Sequence, residues 1–264
     1  MSKKIRIAAV GDNCIDSYDQ TGEVFAGGNP VNVAVYTVRL GEEASYTGVV
    51  GDDDHGTFMK KAISSKGVDI SHLKTLPGKT AVTHVEIRDG ERILGEYEEG
   101  VLADFKLSEE DIFYLASHDL VVTGIWGMIE KDLPALREKD VKIAFDFATF
   151  YEGEVLERAI PYVDYAFFAK DDAEEDLKDF MIEMKEKGAG MVIVTRGEKG
   201  SMAFDGYTFT TFGIIPCNVV DTMGAGDSFI AGFLVGSLKG LPVKECMIMG
   251  ASNSSVTLGY SGAW

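Results

Sequence analysis

The chain is poor in cysteine and in positive charge, and it contains no long apolar run. Of its 264 residues only three are cysteines, Cys14, Cys217 and Cys246, an odd number spread far apart. That spacing excludes a disulfide framework and a cysteine-based zinc site, and it fits a reduced, cytoplasmic protein. Lys and Arg total 25 against 43 Asp and Glu, which gives a formal net charge of −18 and a pI near 4.6. Nucleic acids and acidic membrane surfaces are bound through basic patches, so neither is an expected partner. The longest apolar stretch, Phe229 to Leu238, is too short and too glycine-rich to span a bilayer. No signal peptide is expected ahead of the strand-like run Ile5 to Val10. His55, His72, His84 and His118 show no metal-ligand spacing and read as surface or loop histidines. No G-x-G-x-x-G follows the first strand and no G-x-x-x-x-G-K-[ST] occurs, which excludes the usual dinucleotide fold and the P-loop kinases.

What the chain does have is an alternation of strands and helices. Strand-like runs at Ile5 to Val10, Ser45 to Val50, Leu120 to Thr123, Lys142 to Phe147, Tyr165 to Ala169 and Met191 to Thr195 are separated by helical stretches. This rhythm predicts a single α/β unit over 1–264, a mostly parallel central sheet with helices on both faces. Thr80 to Ile87 and Glu91 to Tyr97, joined by Asp89-Gly90, interrupt it with a hairpin pattern. With Ser17 to Ala26 this hairpin is expected to form a small β lid, its segments near 17–26 and 80–97. Bare lid edges would let two subunits pair into a homodimer.

The chemistry concentrates at Asp221-Thr222-Met223-Gly224-Ala225-Gly226-Asp227, ahead of the apolar run Ser228 to Leu234. Small residues at the start of a buried helix leave amides free, and the amides of Gly224, Ala225 and Gly226 would make a nest for an anion such as a phosphoryl group. Asp227 in that turn would repel an anion unless it had a task, and the natural one is to take a proton from an attacking nucleophile. Read alone, it is also compatible with a helix cap. A helix N-terminus should hold its pKa below the ordinary 3.9 or so.

Gly27-Gly28-Asn29-Pro30-Val31-Asn32 is a second such place. Asn29 reads as an N-cap with Pro30 at the first helical position, and Asn32 falls in the first turn, facing a ligand. Turn glycines before an ordinary polar helix start are the plainer reading. The loop Asp12-Asn13-Cys14-Ile15-Asp16 lies at the C-terminal end of the first strand, where ligands gather in open α/β sheets. Thr195-Arg196-Gly197-Glu198-Lys199-Gly200 is a glycine-bearing loop off another strand end, suited to a nucleotide phosphate or to a plain hairpin approach.

The segment DTMGAGD resembles the C-terminal signature D-T-x-G-A-G-D of the ribokinase or PfkB family of sugar kinases, and Gly27 to Ala34 is similar to that family's G-G-x-x-x-N-x-A. The resemblance implies a ribokinase-like fold and an ATP-dependent carbohydrate kinase using Mg2+. It implies Asp227 as catalytic base, Gly224, Ala225 and Gly226 as anion hole, and Asp12, Asp16, Gly28 and Asn32 as sugar contacts. Thr195, Arg196, Gly197, Gly200 and Asn253 are then implied on the nucleotide side. In many members the residue matching Asp221 helps to hold a monovalent cation such as K+. The family's N-x-x-E near magnesium is not intact: Asp171-Asp172-Ala173-Glu174 has Asp for Asn, leaving Glu174 as an indirect Mg2+ contact. Further stretches, among them Phe145-Asp146-Phe147 and Gly262-Ala263-Trp264, resemble the branch of fructoselysine 6-kinases, which phosphorylate fructosamines. That branch implies transfer of the ATP γ-phosphate to the terminal 6-hydroxyl of a fructosamine. Fructose, ribose, ketodeoxygluconate and a non-catalytic sugar-binding role are the alternatives. A sugar phosphate would call for Arg or Lys at the acceptor site, where these loops offer Asp12, Asp16 and Asn32.

Overall fold

Strand β1 (Arg6–Val10) sends Ile7 and Ala9 into one hydrophobic cluster and Ala8 and Val10 into another. A strand whose successive side chains are all apolar must be covered on both faces, because its Cβ atoms alternate across the sheet. The computed structural model, which describes residues 3–18, 20–88 and 91–264, builds its architecture from this requirement. The first half of the chain contributes β2 (Cys14–Tyr18), β3 (Glu23–Gly27), α1 (Asn29–Arg39), β4 (Glu43–Gly51), α2 (Asp54–Ser65) and β5 (Leu73–Leu76). There follow β6 (Val82–Arg88), β7 (Glu91–Glu98), α3 (Glu109–Ala116), β8 (Leu120–Gly124), α4 (Leu133–Glu138), β9 (Lys142–Asp146) and α5 (Glu154–Ala159). The last part supplies β10 (Tyr165–Ala169), α6 (Glu174–Glu186), β11 (Met191–Thr195), β12 (Ser201–Phe204), β13 (Phe209–Phe212), α7 (Ala225–Leu238) and α8 (Val243–Thr257).

Nine strands form the main sheet in the order β13-β12-β11-β10-β9-β8-β1-β4-β5. The pairs from β11 through to β5 are parallel, and the two pairs at one edge, β11 with β12 and β12 with β13, are antiparallel. Residues of α1, α2, α7 and α8, such as Tyr36, Met59, Phe233 and Met247, join the core on one face. On the other face lie Leu115 of α3, Leu136 of α4, Leu156 of α5 and Met181 of α6. This is the expected α/β arrangement, ribokinase-like in its layers.

The second sheet is the lid, four strands in the order β3-β2-β6-β7. It is larger than the expected segments. The stretch Cys14 to Asp16, read from sequence as loop, is the start of β2, which pairs antiparallel with β3 and parallel with β6. The pairing with β6 is long-range and leaves no local trace. The Asp89-Gly90 turn lies outside the described residues. Strand β5 was not anticipated either, and it exists through its parallel pairing with β4. Caps are local: Asp53 accepts from the Gly56 amide at the start of α2, and Ser108 and Asp111 form a capping box at the start of α3. His118 is a correction, since it is buried and bonded to Ser45 and the Tyr114 carbonyl instead of lying at the surface.

Candidate active site

The C-terminal ends of parallel strands face the same way, so the segments after β1, β8, β9 and β11 open on one edge of the sheet. There the two signature glycine segments meet. Gly28 sits at φ 115°, and a Cβ there would lie 2.7 Å from the Asn13 Cα and 2.9 Å from the Asp12 carbonyl. Only glycine fits. Gly28 therefore occupies the N-cap position of α1, and Asn29, expected to be the cap, becomes the first helical residue. That correction frees the Asn29 side chain for other partners.

Those partners are carboxylates. Asn29 Nδ2 donates to Asp227 Oδ1 at 2.6 Å and to Asp146 Oδ2 at 2.7 Å, and the Asn29 backbone amide donates to Asp12 Oδ2 at 3.3 Å. One turn on, Asn32 Nδ2 donates to Asp227 Oδ2 at 2.7 Å, while its Oδ1 accepts from the indole Nε1 of Trp264 at 2.7 Å. Asp227 thus has one asparagine on each oxygen, although both asparagines precede it by 195 positions or more in sequence.

Asp227 lies in the first turn of α7, whose N-cap is Gly224 in the left-handed region at φ 71°. A Cβ at Gly224 would fall 2.2 Å from the Tyr36 hydroxyl, so the helix start can approach α1 only with glycine in that place. The three expected nest amides are not equivalent. Ala225 N–H is spent on the Thr222 carbonyl at 3.2 Å, whereas those of Gly224 and Gly226 make no bond within the described residues, in keeping with a helix start. The turn that creates the αL cap consumes the middle donor.

Electrostatics at the site run against the sequence expectation for Asp227. Burial pushes its carboxyl up to about 6, and the hydrogen bonds from Asn32 and Asn29 offset that only in part. The expected depression by the helix start is overridden, because loss of water outweighs a partial charge of the macrodipole. Asp12 is raised to about 7, first by burial and also by the nearby Asp227. Asp146 is raised to about 7 by burial, then by Asp227 and Asp12. Among the described residues no Lys or Arg side chain bonds to any of these three acids. Asp12 Oδ1 and Asn29 Oδ1 are buried acceptors without a partner there.

Asp16 is buried on β2, close to Gly27 and 3.6 Å from the Cys14 sulfur. Thr195 ends β11, and Gly197 and Gly200 both have positive φ in the turn that follows. Arg196 donates to the Asp172 carbonyl at 3.2 Å, and Lys199, offered from sequence as loose positive charge, is paired with Asp171 at 2.8 Å. The Asn253 amide donates to the Ser228 carbonyl and its oxygen accepts from Arg39, inside the packing of α1, α7 and α8. Asp221 accepts from the amides of Met223 at 3.0 Å and Gly262 at 2.7 Å and so ties the signature loop to the C-terminal segment. Glu174 is exposed on α6 and paired with Lys178 at 2.9 Å. No cluster of three or more His, Cys, Asp or Glu able to hold a metal occurs among the described residues.

Sequence reasoning missed three members of this constellation. Asn29 was read as a cap, and Asp146 and Trp264 were noted only within stretches of resemblance. A signal for Asp146 was available: an acid ending an apolar parallel strand, at the sheet edge where ligands bind. Trp264 gave none, since its bond to Asn32 depends on how the last residues fold back.

A mostly parallel sheet, a β lid and a carboxylate beside the free amides of a glycine-capped helix define a ribokinase-like phosphotransferase. The structure of Arabidopsis thaliana ribokinase complexed with ribose and ATP shares the fold, with a TM-score of 0.88 at 22% identity over 98% of this chain and 94% of that one. Residues 4–264 match the pfkB family carbohydrate kinase family, and the chain belongs to it. It is 45% identical over 258 residues to a fructoselysine 6-kinase of Shigella flexneri, which covers 98% of this chain and 99% of that protein. A fructosamine kinase of Bacillus subtilis, FrlD, is 33% identical over 265 residues, covering 98% of this chain and 93% of that protein.

Proposed function

We propose that this carbohydrate kinase transfers the γ-phosphate of ATP to the terminal 6-hydroxyl of a fructosamine such as fructoselysine. The observation that carries the reading is the Asp227 carboxylate held by Asn29 and Asn32 beside the free Gly224 and Gly226 amides. In the transfer, a bond forms between the acceptor oxygen and Pγ while the bond from Pγ to the bridging oxygen of ADP breaks. The hydroxyl proton passes to Asp227. A phosphoryl transition state is loose, so the carboxylate mainly orients the hydroxyl while the amides take up charge, a task that Mg2+ bound with the nucleotide would share. A base with a pKa near 6 is also better matched to neutral pH than an ordinary carboxylate.

Asp12, Asp16, Gly28 and Asn32 are assigned to the acceptor, and Thr195, Arg196, Gly197 and Gly200 to the nucleotide. Asp12, to which no Lys or Arg side chain bonds among the described residues, argues against a phosphorylated acceptor and favours neutral hydroxyls or an ammonium. The 45% identity to a fructoselysine 6-kinase supports the fructosamine. The further assignments are Mg2+ with the nucleotide, K+ near Asp221, a lid-paired homodimer and a cytoplasmic setting, the last in keeping with three free cysteines. A coupled ADP assay on fructoselysine, fructose, ribose and ketodeoxygluconate, with Mg2+ and with K+ exchanged for Na+, tests the reading. Fructoselysine should give the highest kcat/KM; equal or better values on a plain sugar would reject the fructosamine assignment.

A further inference from the structure

We propose that Asn29 and Asp146 are positioning residues for the base, a relay that fixes the plane of the Asp227 carboxylate and sets how readily it takes a proton. The inference rests on the reading of Asp227 as the base. Asn29 has two N–H bonds on Nδ2, and its two acceptors are Asp227 Oδ1 and Asp146 Oδ2. Its own Oδ1, in a residue only 8% exposed, has no partner within the described residues. An amide that leaves a buried oxygen bare while bonding both carboxylates is oriented by them, since the flipped rotamer would aim that oxygen at two acids.

Asp146 is itself anchored. Its Oδ1 accepts from the Ala148 amide at 2.9 Å, and Ala148 is one of three non-glycine residues with positive φ among the described residues, at 49°. Backbone held in the left-handed region by a residue with a Cβ is strained, and such strain collects where a functional geometry must be kept. The chain of contacts therefore runs from a strained turn after β9 through Asp146 and Asn29 to the start of α7. It makes the plane of Asp227 depend on two elements far from its own helix.

The charged and titratable groups around this relay are few. Asp12 comes from the segment after β1, and Tyr36 faces Asp227 from α1 with Arg39 behind it. Around Asp12 stand Cys14 and Asp16 of β2, Tyr46 of β4 and Tyr97 of β7. The hydrogen bond from Asn29 favours ionised Asp227, whereas a negative Asp146 opposes it. Removing the two partners should thus shift Asp227 in opposite directions, which loosened packing alone would not do.

The test measures kcat against pH for Asn29→Ala and Asp146→Asn, using whichever acceptor gives the wild type its highest kcat/KM, so that the outcome does not depend on the acceptor assignment. Carboxyl 13C NMR titration of the unliganded proteins reads the same group without turnover. Asn29→Ala should lower kcat roughly 10–100-fold, leave KM for ATP within about twofold, and move the acid limb and the Asp227 resonance up by about one pH unit. Asp146→Asn keeps an oxygen that can accept from Asn29 and should move both down. If Asn29→Ala does not fold, Asn29→Ser takes its place with the same readout. Unmoved limbs and resonances, or shifts of the same sign, in folded variants would overturn the relay. Loss of turnover in Asp227→Asn alongside such unmoved limbs would leave the base assignment standing and remove only the relay.

Discussion

Asp227 carries more than its position in a seven-residue signature reveals. The signature indicates which acid stands beside which amides, because close backbone approach needs glycine and a helix start leaves donors free. It does not indicate the two asparagines on its oxygens or the acids around it, since those contacts join residues from α1, β9 and α7. Asn32 was legible as a first-turn residue facing a ligand, while Asn29 was misread because the cap passed to Gly28. The expected pKa was wrong in sign, since burial is a property of the assembled cleft. The prediction at this scale is that Asp227→Asn keeps the fold and lowers kcat by roughly 10²–10⁴. Steady-state kinetics with circular dichroism as the fold control checks it, and near-normal turnover would refute the base.

Among the elements, the helices and central strands were the most readable. The strands at 165–169 and 191–195 match to the residue. Here local pattern and tertiary packing ask for the same residues. The lid is different. Its hairpin was legible from alternation, but β2 looked like a loop because its sheet exists only once β3 and β6 lie beside it. Strands β3 and β7 are the outer strands of this small sheet, and outer strands carry backbone groups able to pair with another chain. Pairing through the lid predicts a dimer by light scattering at micromolar protein. Proline replacing Val24 or Phe25 on β3 should shift that dimer towards monomer if this edge forms the contact, and monomer alone in the wild type would sink the proposal.

For the molecule as a whole, the excess of acid has a thermodynamic consequence. Asp12, Asp146 and Asp227 titrate near 7, 7 and 6 in the folded protein, against about 4 in an unfolded chain. Between those values the folded state binds more protons than the unfolded state, so stability falls as pH rises through that window. The loss amounts to a few kcal/mol, or on the order of 5–10 °C in Tm between pH 5 and 8. Carboxylates such as the half-buried Asp53 and the exposed Asp69 are shifted the other way, held down by hydrogen bonds, and their contribution is lost only at lower pH. Thermal melts of the unliganded protein should show this decline, with a shallower slope in Asp146→Asn; a Tm that is flat or rises from pH 5 to 8 in the wild type would contradict it. By itself the sequence determined the class of fold and the two glycine signatures, because periodicity and steric freedom act over a few neighbouring residues. Only the tertiary structure decided which asparagines hold the reactive acid, that the middle signature amide is spent, and that three acids come together in one cleft, because hydrogen bonding and desolvation depend on what distant segments bring together.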